Sequence, residues 1–151
     1  MNNKPIDLLG LCQDVARHLG DWPVWVRFRD PSTKGAGAEF FVAEGGYGVI
    51  DIAPGNDILL QYRNLLHETA HLKLHKETIG ESEDYPSGTF IKTSQYWQVE
   101  HGQDPRESEA DKLRDKWMNW AGQKAGPLYG MADRPRERVI ARLKALKNYK
   151  E

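Results

Sequence analysis

The sequence predicts an α+β fold: one helix, three short strands, then three further helices. Two observations carry this prediction. The clearest strand-like segments with alternating apolar residues are grouped at positions 24–52, while apolar residues at helical spacing lie before and after them. Strands grouped together, not alternating with helices, argue for segregated layers and not for a parallel βαβ sheet. At 151 residues the chain has the length of one domain, residues 1–151, able to close a single hydrophobic core.

Each element has its own local justification. Residues 5–19 place Leu8, Leu11 with Cys12, Val15 with Ala16, and Leu19 on one helical face. Pro5 suits the first turn of that helix and Gly20 its C-terminal stop. In 24–28, Val24, Val26 and Phe28 alternate with Trp25 and Arg27, which is strand spacing. Two more strands, 39–43 and 47–52, flank the Gly45-Gly46 turn. Beyond Pro54-Gly55, Asn56 or Asp57 can cap a helix that runs from Ile58 to about Lys76. Residues 77–104 read as a long polar connection, with a short strand near 90–91 or 96–99. A connection of that length in a small domain is usually functional. Pro105 opens a helix to about Gln123, and Asp133-Arg134-Pro135 opens the last, which ends near Tyr149.

Composition narrows the class. A net charge of −1 gives no global pull toward nucleic acid or an anionic membrane surface. No apolar run approaches the length of a membrane span, and the N-terminal stretch is amphipathic, unlike a signal core. Cys12 is the only cysteine, so no intrachain disulfide can form. That fits a reducing, cytoplasmic setting.

The chemistry concentrates at His67-Glu68-Thr69-Ala70-His71. Residues four apart share a helix face, so His67 and His71 can direct two imidazole nitrogens at one point. This is the spacing of a zinc site with two histidine ligands. Glu68 lies ~100° further round the helix, beside the zinc and not on it. There it can take a proton from a water activated by the ion and later give it to a leaving amine.

A catalytic zinc takes three protein ligands and leaves one position open. His75 does not supply the third. Eight residues of helix put it ~12 Å from His67. The better source is the helix bearing Glu107, Glu109 and Asp111. At ~100° per residue, Ala110, Leu113, Trp117, Trp120 and Ala121 form one apolar arc with Met118 at its margin. Glu107 and Asp111 lie at that same margin, and Glu109 at the opposite one. This arrangement favours Glu107 as ligand and Asp111 as the acceptor that orients a ligating histidine. Two alternatives stay open: the reverse assignment, and Glu109 as the ligand. Acids in a first helical turn also suit the helix dipole without any metal.

With these residues in place, the chain resembles the ImmA/IrrE family of zinc metallopeptidases. The resemblance rests on the strand residues Val49-Ile50-Asp51-Ile52, the run His67-Glu68-Thr69-Ala70-His71-Leu72-Lys73-Leu74-His75, and Glu107-Ser108-Glu109-Ala110-Asp111. Together these match an HExxH motif with a later Leu-His and an ExEA[N/D] helix, over roughly residues 47–118. Ala70 stands where the family commonly has glycine, and the 113–120 stretch lacks the family's closing proline. The resemblance implies a minimal, gluzincin-like zincin domain. His67, His71 and an acid of the second motif would hold one zinc ion, with Glu68 as catalytic base. It also implies an intracellular endopeptidase acting on a regulatory protein, such as a transcriptional repressor of a mobile element. Such proteins often carry a DNA-binding helix-turn-helix, for which these 151 residues leave no room. The competing expectation is a zinc-containing binding module that sequesters a partner protein without cleaving it.

The remaining features are weaker signals. The strand at 47–52 leads into the His67 helix and is the candidate edge for pairing with an extended peptide. His101, Tyr96, Tyr85 and Tyr129 are conceivable oxyanion partners, none of them singled out. In the last helix, Val139, Ile140, Leu143 and Leu146 give an apolar face opposite a basic, solvated one. Trp25, Trp97, Trp117 and Trp120 read as core or cleft packing, and Cys12 as a buried thiol.

Overall fold

The computed structural model describes residues 7–31, 36–43, 45–80, 105–125 and 134–150, with the side chains of 75–80 and 105–106 outside that description. Its first helix, α1 (Leu8–Gly20), starts one turn later than the proline suggests. Asp7 is the N-cap: its carboxylate accepts the Gly10 N–H at 3.0 Å, so a side-chain acceptor and not Pro5 sets the start. Pro5 itself lies outside the described residues. At the other end Gly20 is still helical, and Asp21 takes the left-handed conformation at φ 50°. An aspartate tolerates that region better than most side chains.

Three strands follow: β1 (Val24–Phe28), β2 (Ala38–Val42) and β3 (Gly48–Ile52). Gly45 and Gly46 take φ values of 103° and 85° in the turn joining β2 to β3, a conformation that favours glycine. The sheet order is β1-β3-β2, with β3 antiparallel to β2 and parallel to β1. Every residue of β3 is buried, as expected of a strand with neighbours on both sides. This corrects the expectation for residues 47–52. The strand that leads into the histidine helix is the central one, its backbone paired on both flanks, and it offers no edge to a peptide.

One face of the sheet carries Val24, Val26, Phe40, Val42, Ile50 and Ile52, all buried. Against it pack α1, through Leu11, Cys12, Val15, Ala16 and Leu19, and α2 (Ile58–Gly80), through Leu65, Leu66, Ala70 and Leu72. Asp57 caps α2, accepting the Leu60 N–H at 2.9 Å. That resolves the Asn56/Asp57 alternative; the Asn56 carbonyl accepts instead from the Gln61 amide at 2.9 Å. The helix runs four residues past the expected end, to Gly80. No proline or internal glycine interrupts it.

Two more helices, α3 (Pro105–Ala125) and α4 (Pro135–Leu146), complete the α+β fold. The former packs along α2, and α4 closes the bundle against α1, α2 and α3. The arc read from the sequence faces inward: Ala110, Trp117 and Ala121 are buried, with Leu113, Met118 and Trp120 packed at its margin. Val139, Ile140, Leu143 and Leu146 form the buried face of α4. Arg142 departs from the expected solvated side: it is buried, and its Nη1 donates to the Arg138 carbonyl at 3.1 Å. Just beyond α4, the Tyr149 ring meets those of Trp120 and Trp117 edge to face at 5.0 and 6.5 Å. The Tyr149 carbonyl lies 2.7 Å from His18 Nε2 on α1, tying the last residues to the first helix.

Trp25 is not a core residue. It lies 52% exposed on the far face of the sheet, with the Arg17 guanidinium 4.8 Å over its ring. Cys12 is buried as expected, and burial, with Asp7 nearby, pushes its thiol up to about 12. It stays protonated and inert at neutral pH. The candidate strands at 90–91 and 96–99, and Trp97, lie outside the described residues.

Candidate metal centre

The site is built where α2 and α3 meet. Because α2 is regular across 67–71, its two histidines fall one turn apart on one face, with ring centroids 4.7 Å apart and planes at 87°. Leu72, the residue after His71, is fully buried and fixes that turn against the rest of the fold. A Cβ on Gly20 would come within 2.6 Å of Leu72 Cδ2, and one on Gly48 within 3.2 Å of Leu72 Cδ1. Glycine at both places lets α1 and β3 approach the histidine turn closely.

From α3, Glu107 reaches between the two rings. Its Oε2 lies 3.1 Å from His67 Nε2 and its Oε1 3.0 Å from His71 Nε2. Both histidines therefore present Nε2 to the same carboxylate. All three side chains are mostly buried, with Glu107 and His71 the more enclosed. The donor atoms of His67, His71 and Glu107 lie within 4.8 Å of one another.

Two nitrogens and a carboxylate are the donor set of a catalytic zinc. Each histidine Nε2 stands 3.0–3.1 Å from one of the two Glu107 oxygens, and one donor atom from each of the three residues can be gathered within 4.8 Å, close enough to share a metal ion. The residues present fit a zinc ion.

Electrostatics points the same way. Burial alone would lower the His67 pKa, but the hydrogen bond it donates to Glu107 and the charges of Glu68, Glu107 and Asp111 outweigh it and raise it. Burial would raise Glu107, yet hydrogen bonds from His67 and His71 hold it down at about 2. The cluster thus centres on a carboxylate held ionised between two imidazoles, a negative group that favours a cation beside it.

Asp111, one turn after Glu107, brings Oδ1 to 3.0 Å from His67 Nδ1, the ring nitrogen that faces away from the cluster. The approach is at ion-pair distance, without the alignment of a hydrogen bond. Glu109 is exposed and stands outside the cluster. The backbone of His75 lies in the unbroken continuation of α2, two turns past His67; its side chain is outside the described residues.

Glu68 is buried beside the cluster without joining it, its Oε2 4.0 Å from His67 Nε2. Burial pushes its carboxyl up, His67 opposes the shift, and Glu107 and Glu39 add to it, for a value of about 7. A carboxyl poised near neutrality can both accept and return a proton at physiological pH.

Two charged neighbours escaped the sequence reading. Glu39 is 4% exposed on β2, directly across from Asp51 on β3, and its charge reaches Glu68. Asp51 is itself buried and accepts two hydrogen bonds from Arg27, at 2.7 and 2.9 Å. The second is Arg114, which lies three residues after Asp111 and seven after Glu107. Helical spacing alone puts it on the face that carries the site, so the wheel that selected Glu107 could have found it. The conceivable oxyanion partners Tyr85, Tyr96, His101 and Tyr129 lie outside the described residues. Among the described residues, no helix is long and apolar enough to cross a membrane.

Compared with protein-family models, curated proteins and solved structures, the chain matches none of them.

Proposed function

We propose that this chain is a zinc-dependent endopeptidase in which His67, His71 and Glu107 hold one zinc ion and Glu68 handles the proton. The observation that carries the reading is the pairing of two unlike carboxyls. Glu107 is ionised and shared between two imidazoles, whereas Glu68, one residue from a ligand, is buried apart from them with a pKa near 7. Environments that push two carboxyls in opposite directions divide the work between ligand and acid–base group.

When bound, zinc supplies a Lewis acid that polarises an amide carbonyl and lowers the pKa of water toward neutrality. His67 and His71 present Nε2 to it and Glu107 a carboxylate oxygen, while Asp111 stands behind the His67 ring. The ionised Glu68 carboxylate accepts the proton of the attacking water. Once protonated, it delivers that proton to the departing amine nitrogen, which returns Glu68 to its starting state. The buried setting excludes bulk water from this exchange and strengthens the electrostatic contacts within it.

The resemblance of 47–118 to ImmA/IrrE metallopeptidases supports a protein substrate, and a regulatory protein such as a repressor in particular. The test compares wild type with Glu68→Gln, both loaded with zinc, against the products of neighbouring genes. Wild type is expected to cleave one of them, and Glu68→Gln to keep its zinc while losing at least a hundredfold in rate. Equal cleavage by both proteins would overturn the role of Glu68. If neither cleaves and both relieve repression equally, the chain acts by sequestration and the peptidase reading fails.

A further inference from the structure

Asp111 does not stand alone behind His67. Its Oδ1, the same oxygen that approaches His67 Nδ1, accepts a hydrogen bond from Arg114 Nη1 at 2.8 Å. The opposite side of that guanidinium is also held: Nε and Nη2 both donate to Asp115 Oδ1, at 3.0 and 2.9 Å. Arg114 is only 8% exposed, although the side chains of Asp111 and Asp115 are 47% and 59% exposed. A buried guanidinium clamped between two half-exposed carboxylates is a fixed part, and the carboxylate it grips inherits that fixity. Asp111, left to itself, is a short side chain half in water, free to turn away from the histidine.

We propose that Arg114 is a positioning residue for the metal centre: it holds Asp111 against His67 Nδ1 and so presents His67 Nε2 to the ion. This rests on the zinc-site reading given above. The polar partners of a ligating histidine fix its tautomer and ring orientation, and their loss costs 10–100-fold in metal affinity. Arg114 is one step further out, acting only through Asp111. Arginine suits the task because its planar fork bonds two carboxylates at once, whereas a lysine is a single point charge that reaches one.

The test is the zinc affinity of the full chain, measured by competition with a chromogenic chelator. Wild type, Arg114→Gln, Arg114→Lys, Asp111→Asn and the Arg114→Gln/Asp111→Asn double variant are compared. Arg114→Gln is expected to bind zinc about tenfold more weakly, and Arg114→Lys to recover part of the loss. The double variant should be no weaker than Asp111→Asn alone, because two residues acting through one contact are not additive. Cobalt-substituted wild type and Arg114→Gln should differ in their visible ligand-field bands, which a loss of stability remote from the site would leave unchanged. Wild-type affinity in Arg114→Gln, or a double variant whose losses add, would overturn the proposal while leaving the zinc site standing. If wild type itself binds no zinc, the underlying site reading fails, and this proposal with it.

Discussion

At the scale of single residues, the groups at the site respond to pH in opposite directions. Without metal, Glu68 holds its proton to about pH 7, whereas an unperturbed glutamate loses it near 4.5. Between those values the folded chain keeps a proton that the unfolded chain has released, so stability falls as pH rises. His67 acts in the same direction. Its raised pKa gives stability that is fully present below 6.5 and lost as pH climbs through the folded value. Glu107 has the opposite sign: held at about 2, it contributes above 4.5 and ceases to contribute as pH falls toward 2. Metal-free protein should therefore melt at a lower temperature at pH 8 than at pH 5. Glu68→Gln should flatten the part of that decline between pH 4.5 and 7. Thermal melts in a chelating buffer check both, and an unchanged or rising melting temperature across that range would contradict the assignment. Bound zinc would reverse the trend, because the histidines must be neutral to bind it.

At the scale of elements, the histidine turn of α2 is held by packing as much as by its own hydrogen bonds. Leu72 sits where α1 and β3 come closest to that turn, and Gly20 and Gly48 make the approach possible. Alanine in place of glycine in a helix is normally a gain of roughly 0.5–1 kcal/mol. Gly122, on α3, has open space around its Cα, and Gly122→Ala should show that gain. At Gly20 the new methyl meets Leu72, which is fully buried and has nowhere to go. Gly20→Ala should instead cost about 1–2 kcal/mol, the usual penalty of overpacking a core. Urea denaturation of the two variants separates the cases. A Gly20→Ala protein as stable as Gly122→Ala would mean that Leu72 does not anchor the turn.

The same elements show what could be read in advance. His67 and His71 were legible because a four-residue interval has one meaning on a helix, whatever surrounds it. Glu107 was legible because the apolar arc through Ala110 and Trp117 fixes which way α3 faces. The order of the strands was not. Pairing β3 with β1 in parallel is a choice between distant segments, and the run 47–52 reads alike in a central or an edge strand until its neighbours are known. The burial of Arg114 and Arg142 was hidden too, since composition places arginine at the surface and only tertiary contacts enclose it. Helix ends shifted where a cap outweighed a proline, as Asp7 did over Pro5.

At the scale of the whole molecule, a single core joins α1, the sheet and the three later helices, and the metal centre lies at the seam between α2 and α3. With His67 and His71 on one side of that seam and Glu107 on the other, a bound zinc would cross-link the two helices. Binding to the folded chain alone should then stabilise the whole domain by mass action. Purified wild type, Glu68→Gln and Glu107→Ala can be saturated with zinc, dialysed against metal-free buffer and assayed for metal by atomic emission. About one zinc per chain is expected in the first two and close to none in the third, because three protein ligands are needed to hold the ion. A wild-type protein that emerges empty, or a Glu107→Ala protein that emerges full, would contradict the metal centre on which the proposed function stands.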